Sequence, residues 1–139
     1  MNLAAVRWVP IPHTDDDRGS LTVIESASLP FDIKRVFYLH RVPEGSERGA
    51  HAHRYTQQIL IAQSGSLRID VSDGMQSESF LLSDPNRGLY LPAMTWVRLY
   101  GFAPSTVMLV LCDRAYVREH VVRSWDEYCS LLSASPQTA

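Results

Sequence analysis

Turn residues recur along this chain at short, regular intervals, and they cut it into apolar or alternating runs too brief for helices. The runs are Leu21–Glu25, Ile33–His40, Gln58–Gln63, Ser66–Val71, Glu78–Leu82, Gly88–Leu91, Thr95–Tyr100, Thr106–Cys112 and a weaker Glu119–Val122. Between them lie Pro43-Glu44-Gly45-Ser46, Ser64-Gly65, Ser72-Asp73-Gly74, Ser83-Asp84-Pro85-Asn86 and Ala103-Pro104-Ser105, whose Gly, Pro and Asp supply the backbone angles that turns require. Such spacing predicts an all-β sandwich or barrel. Asp73-Gly74 between two runs predicts a hairpin. Helical patterning is confined to the C-terminus, where Ser124-Trp125-Asp126-Glu127 has capping-box form and opens the amphipathic series Trp125, Tyr128, Leu131, Leu132.

At 139 residues the chain has room for one domain, expected over 1–139 with a core from about 17 to 132 and a frayed tail over 133–139. Its net charge of −2 is spread along the chain, which argues against nucleic acid or an anionic membrane as partner. No stretch approaches the roughly 20 apolar residues that span a bilayer, and Met-Asn-Leu-Ala-Ala-Val-Arg-Trp has no apolar signal-peptide core, so a cytoplasmic protein is expected. Cys112 and Cys129 have neither the number nor the spacing of a disulfide framework or zinc site, and are expected to be buried or half-buried thiols.

The chemistry is concentrated in Gly45-Ser-Glu-Arg48-Gly49-Ala50-His51-Ala52-His53, followed by Gln58 and an apolar run to Gly65. Residues two apart on a strand share a face, so His51 and His53 present two imidazoles side by side while Ala50 and Ala52 face away. A hydrogen-bonded surface pair is the plain alternative, but imidazole is both the usual general acid/base and the commonest metal ligand.

Gly45, His51, His53, Gln58 and Gly65 fall at the intervals of the first cupin motif, and here the chain resembles the cupin superfamily. Gln58 stands where metal-binding cupins carry Glu. In the second-motif stretch, Gly88 to Val97, Val97 stands where they carry the last His. The resemblance therefore implies no metal and no cofactor, since a neutral amide does not replace carboxylate charge around a divalent cation. His13, His40 or His120 would have to rebuild a metal site through the fold.

Asp17-Arg18-Gly19-Ser20-Leu21, Pro30 to Tyr38, Arg48 to His53, Asp84 to Pro92 and Met94-Thr95-Trp96 together look like the nucleotide-linked sugar 3,4-ketoisomerases of deoxyamino-sugar pathways. This resemblance runs from about Asp17 to Leu132. It implies a cupin-type jelly-roll β-sandwich with a short C-terminal helix, in a strand-swapped homodimer. An N-terminal strand from about Arg7-Trp8-Val9 is expected to reach a neighbouring sheet edge. The implied substrate is dTDP-4-keto-6-deoxyglucose, its keto group moved from C4 to C3 through an enediol. In that reading His51 is the principal acid/base, His53 assists or orients, and Tyr38 shuttles a proton at the sugar oxygens. Tyr38 is otherwise a half-buried barrel tyrosine.

Arg48, Arg18 and Arg35 are candidates for the diphosphate, because guanidinium binds phosphate bidentately. Gln58, Asn86, Tyr90 and Trp96 complete the expected substrate-binding set, although Asp-Pro-Asn also suits any turn and large aromatics in β proteins are often core. Val97 follows the Trp of Met-x-Trp, where similar ketoisomerases usually carry a His or Arg associated with reprotonation of C4, and it cannot transfer a proton. The segment Asp113 to His120 is only loosely like the family's acidic, Tyr-rich one. A non-catalytic sugar-nucleotide-binding module and a metal-dependent cupin enzyme are the alternatives.

Overall fold

A computed structural model describes residues 3–134. Twelve strands and one α-helix account for most of it: β1 (Arg7–Pro10), β2 (His13–Asp16), β3 (Gly19–Thr22), β4 (Arg35–His40), β5 (Arg48–His53), β6 (Gln58–Ser64), β7 (Leu67–Ser72), β8 (Ser77–Leu82), β9 (Arg87–Leu91), β10 (Trp96–Tyr100), β11 (Val107–Cys112), β12 (Val121–Val122) and α1 (Trp125–Ala134). Two five-stranded sheets, ordered β1-β9-β6-β11-β4 and β12-β5-β10-β7-β8, face one another, and β2 pairs only with β3. Every pairing is antiparallel. This is one of the two all-β forms that the short runs predict, a sandwich, and it agrees with the jelly roll that the family resemblance implies.

Alternation decides what each sheet gives to the interior. Leu60, Leu89, Met108 and Val110 from the first sheet meet Leu67, Ile69, Val71, Val97 and Leu99 from the second in one buried cluster. β6 is apolar on both faces, Gln58-Ile-Leu-Ile-Ala, because its outer face is covered as well: Ile59 and Ile61 pack with Val9, Ile11, Phe31 and Tyr90. The core thus extends to the N-terminal side of the expected boundary near residue 17, through Leu3, Val6, Val9 and Ile11.

The predicted helix forms, with Ser124 Oγ accepting from the Glu127 backbone N–H at 3.3 Å. It includes Ser133 and Ala134; the rest of the expected tail lies outside the described residues. The helix packs Tyr128 onto the outer face of the second sheet against Ala52 and Val122. The Tyr128 hydroxyl donates to Met94 O at 2.7 Å and lies 3.1 Å from Ser72 O, and burial pushes its pKa up to about 12. Behind the strand that carries both histidines, α1 is therefore a fixed backing.

Two local readings are corrected. The run ending at Glu25 stops at Thr22, and Glu119–Val122 shortens to Val121–Val122 because Arg118–His120 closes a single 3-10 turn. Within the single chain β1 pairs with β9, with Arg7 opposite Tyr90 and Val9 opposite Gly88. The N-terminal element outside the sandwich is the hairpin β2–β3, whose residues are exposed apart from Thr22.

Candidate active site

Between the sheets, at the end where β5 meets β4 and β6, lies a cavity of about 80 Å³, room for several waters. Its polar lining is Arg48, His51, His53 and Gln58; Phe37, Leu39, Leu60, Val97, Leu99, Met108 and Val110 supply apolar walls. The strand β5 places three of these polar groups, and it does so with an irregularity. Gly49 and Ala50 have φ of +87° and +57°, and the pairing with β10 skips from Val97 opposite His51 to Arg98 opposite Gly49. This β-bulge consumes one residue, so Arg48 and His51 both face inward although they are three apart. A Cβ on Gly49 would lie 2.8 Å from Val97 O, so a residue without a side chain fits here.

The two imidazoles stand edge to face with ring centroids 4.9 Å apart. Their surroundings differ. The Gln58 carboxamide nitrogen lies 3.4 Å from His53 Nε2 and 3.6 Å from Cys112 Sγ. Donation from this amide makes His53 Nε2 an acceptor and leaves the proton of neutral His53 on Nδ1. His51 Nδ1, by contrast, is buried without a hydrogen-bond partner, and such a group in a native interior calls for an explanation.

Burial depresses the pKa of His51 below its usual 6.5, and the positive charges of Arg123 and Arg48 push the same way. For His53, burial and the neighbouring His51 dominate, helped by Arg35 and Arg123, and bring the value to about 4. Both rings are therefore neutral at pH 7, the form in which imidazole takes up a proton. Burial also raises the Cys112 thiol, so it stays protonated. No group of three or more His, Cys, Asp or Glu able to hold a metal ion forms among the described residues. His13, His40 and His120 are apart from the pair, beside Asp15, Tyr38 and Tyr55 respectively.

Arg35 sits at the pocket's edge, its guanidinium 4.5 Å from the Phe37 ring centroid. The remaining expected residues are not brought to the pocket. On β4, Arg35, Phe37 and Leu39 point inward, so Tyr38 points out and is 58% exposed against His40. Phe37 occupies the inward place assigned to Tyr38. The same parity turns Trp96 outward onto Trp125 and Tyr128, and gives the inward position to Val97, 3% exposed. Tyr90 faces the outer cluster, where its hydroxyl donates to Gln57 Oε1 at 2.5 Å. Asn86 accepts from the Thr22 hydroxyl at 2.7 Å, tying the β2–β3 hairpin to the turn before β9. Arg18, at the tip of that hairpin, pairs with Asp16 at 2.8 Å.

Phe37 and Arg123 are the neighbours of the histidines that sequence reasoning missed, whereas Val97 was marked by its place in the second motif. For Phe37 the signal was present: with Leu39 taken as core, parity puts it inside. For Arg123 there was none, because its position depends on how β12 returns to β5.

Residues 4–133 match the family described as FdtA: WxcM-like, C-terminal. The chain is 35% identical over 114 residues to the TDP-4-oxo-6-deoxy-alpha-D-glucose-3,4-oxoisomerase of Aneurinibacillus thermoaerophilus, covering 81% of this chain and 82% of that one. Its fold is similar to a 3,4-ketoisomerase from Helicobacter canadensis, with TM-score 0.89 and 32% identity over 93% of this chain and 98% of the other. It is also similar to a histidine-to-asparagine variant of the 3,4-ketoisomerase QdtA from Thermoanaerobacterium thermosaccharolyticum, in complex with TDP-4-keto-6-deoxyglucose. There the TM-score is 0.92 with 31% identity, over 98% of this chain and 99% of that one.

Proposed function

The chain belongs to the FdtA: WxcM-like, C-terminal family and is an isomerase, and from that premise we propose that it moves the keto group of TDP-4-keto-6-deoxyglucose from C4 to C3 by histidine acid/base catalysis. The observation that carries the chemistry is a pair of neutral imidazoles, one held by Gln58 and one with an unpartnered ring nitrogen, at the wall of a largely apolar pocket.

In this reading His51 removes the proton from C3. The C–H electron pair becomes the C3=C4 double bond and the C4 carbonyl oxygen takes up the negative charge, giving an enediolate. The O4 oxyanion then takes up a proton as the C3 hydroxyl loses its own, and the C3 carbonyl forms while C4 receives the proton held by His51. Two protons leave and two return, so the product is an isomer of the substrate and no redox partner is needed. The Arg48 guanidinium, also on the pocket wall, is placed to stabilise the oxygen that becomes negative. Two features favour return of the proton: Arg48 and Arg123 both disfavour a second positive charge on His51. His53, held by Gln58 as an acceptor at Nε2, orients the sugar hydroxyls and assists.

We take the reaction to be independent of metal because the donor set is two imidazoles and a neutral amide, with the hydrocarbon of Val97 facing His51 across the strand pair. We also take the working form to be a homodimer. Leu21 and Val23 on and beside the outlying hairpin, and Val36 and Tyr38 on the outer face of β4, are large apolar side chains exposed in a single chain.

Proton NMR of TDP-4-keto-6-deoxyglucose in D2O with EDTA-treated protein tests the proposal. The expected result is a 3-keto sugar carrying solvent deuterium on the ring. An unchanged spectrum despite TDP binding would favour the binding module, and turnover only after adding a divalent metal would favour the metal-dependent enzyme.

A further inference from the structure

On the side of β10 the pairing of β5 runs out before the second histidine. Val97 lies opposite His51, and β10 begins only one residue earlier, at Trp96. Beyond that point His53 O accepts from the Met94 backbone N–H at 2.7 Å. Met94 belongs to the turn from β9 into β10, Pro92-Ala93-Met94-Thr95, whose ends are tied by the Thr95 hydroxyl donating to Pro92 O at 2.7 Å.

The Met94 backbone is left-handed, with φ +62°. A side chain makes that conformation costly, and it persists where the surroundings over-determine it. Here both backbone groups of the residue are engaged, each by a different element. Its N–H is given to His53, and its carbonyl accepts from the Tyr128 hydroxyl at 2.7 Å. Its side chain packs with Trp96, Leu131 and Leu132 around the same tyrosine. Tyr128 is fully buried on α1, behind β5, and neither it nor Met94 lines the pocket.

The imidazole itself is held more loosely. The Gln58 amide nitrogen is 3.4 Å from His53 Nε2, long for a hydrogen bond, so the place of the ring depends on the main chain from which it projects. We propose that Tyr128, acting through the left-handed Met94 turn, is a positioning residue, a latch that fixes His53 beside His51. Without the hydroxyl, Met94 loses the bond that opposes its return to a right-handed conformation, and that return takes its N–H away from His53 O. The inference rests on the function proposed above, in which His53 orients the sugar hydroxyls. It gives α1 a part in the reaction although no side chain of the helix lines the pocket.

Steady-state kinetics on TDP-4-keto-6-deoxyglucose, calorimetry with TDP and the NMR ring resonances of His53 test the latch in Tyr128→Phe, which keeps the aromatic packing and removes only the hydroxyl. The value of kcat should fall about tenfold, as a group at the reacting sugar is displaced, with KM and TDP affinity within about twofold of wild type. The His53 ring resonances should shift in the free protein. Glycine takes a positive φ at no steric cost, so adding Met94→Gly to Tyr128→Phe should bring kcat back to within about threefold of wild type, even as the lost packing lowers Tm. A purely structural tyrosine predicts the reverse, a double variant worse in both. If Tyr128→Phe fails to fold, Met94→Val supplies the test. It keeps the hydroxyl, but its branched side chain resists positive φ, so the same fall in kcat with TDP binding intact is expected. Unchanged kcat in folded Met94→Val would overturn the latch, as would failure of the glycine to restore kcat. If wild type converts no sugar but the His53 resonances move in Tyr128→Phe, the latch stands and the proposed reaction falls. If Tyr128→Phe converts the sugar at the wild-type rate, the reaction stands and the latch falls.

Discussion

Arg48 and His51 are three residues apart on one strand, yet both line the same pocket, because the bulge at Gly49 and Ala50 takes up the odd residue. A regular strand would send one of them to the outer face. In the proposed reaction the bulge is therefore what joins the oxyanion-stabilising group to the proton-transfer group.

Gly49→Ala tests that device. The added methyl would meet Val97 O at 2.8 Å and would be held at φ +87°. We expect a loss of about 1–3 kcal/mol in stability, the cost of a left-handed, crowded backbone position. Chemical denaturation should show the loss, and activity of the folded fraction should fall too, since β5 can relax only by moving His51.

Tyr38→Phe should do little. Its side chain points away from the pocket on the outer face of β4, so kcat and KM for the keto sugar are expected to stay within about twofold of wild type. A large fall in kcat alone would show that Tyr38 reaches a reacting group, which in this fold would require another subunit.

Gln58→Glu should change the pH profile. A carboxylate against His53 favours the imidazolium, so the pKa of His53, now about 4, should rise by more than one unit. The acid limb of kcat/KM should move upward with it. The variant should also bind zinc in equilibrium dialysis, having two imidazoles and a carboxylate where wild type has a neutral amide.

The depressed histidines make stability depend on pH in a defined direction. His53 binds a proton near pH 6.5 when unfolded and near pH 4 when folded, so the unfolded state holds more protons in between. Stability from this group is complete above pH 6.5 and is lost as pH falls toward 4, by up to about 3 kcal/mol. Denaturant midpoints measured from pH 7 to pH 4 should fall accordingly, and a His53→Gln variant should lose part of that slope.

Periodicity and turn chemistry made the sandwich legible, because each strand carries its own alternation and each turn its own Gly, Pro or Asp. The histidine pair was legible for the same reason: two residues on one strand need no knowledge of the rest of the fold. Tyr38 and Trp96 were misplaced by one step of parity. Both lie beside a smaller or wholly apolar neighbour, Phe37 or Val97, that takes the inward position, and chemical interest is no guide to which face is buried. Tyr90 and Asn86 are close in sequence to pocket-lining strands but belong to the outer cluster and a hairpin tie. Arg123 was invisible because its place depends on a long-range pairing between β12 and β5, separated by about half of the chain.

The central claim is that His51, neutral in its pocket, carries the proton between carbons. Its most direct test is the rate of deuterium incorporation from D2O at the ring carbon of TDP-4-keto-6-deoxyglucose, followed by proton NMR with wild type and with His51→Ala. The account predicts exchange and isomerisation with wild type, both reduced at least about a hundredfold in the variant while TDP still binds. Exchange at an unchanged rate in His51→Ala, in a variant that is folded and binds TDP, would contradict it.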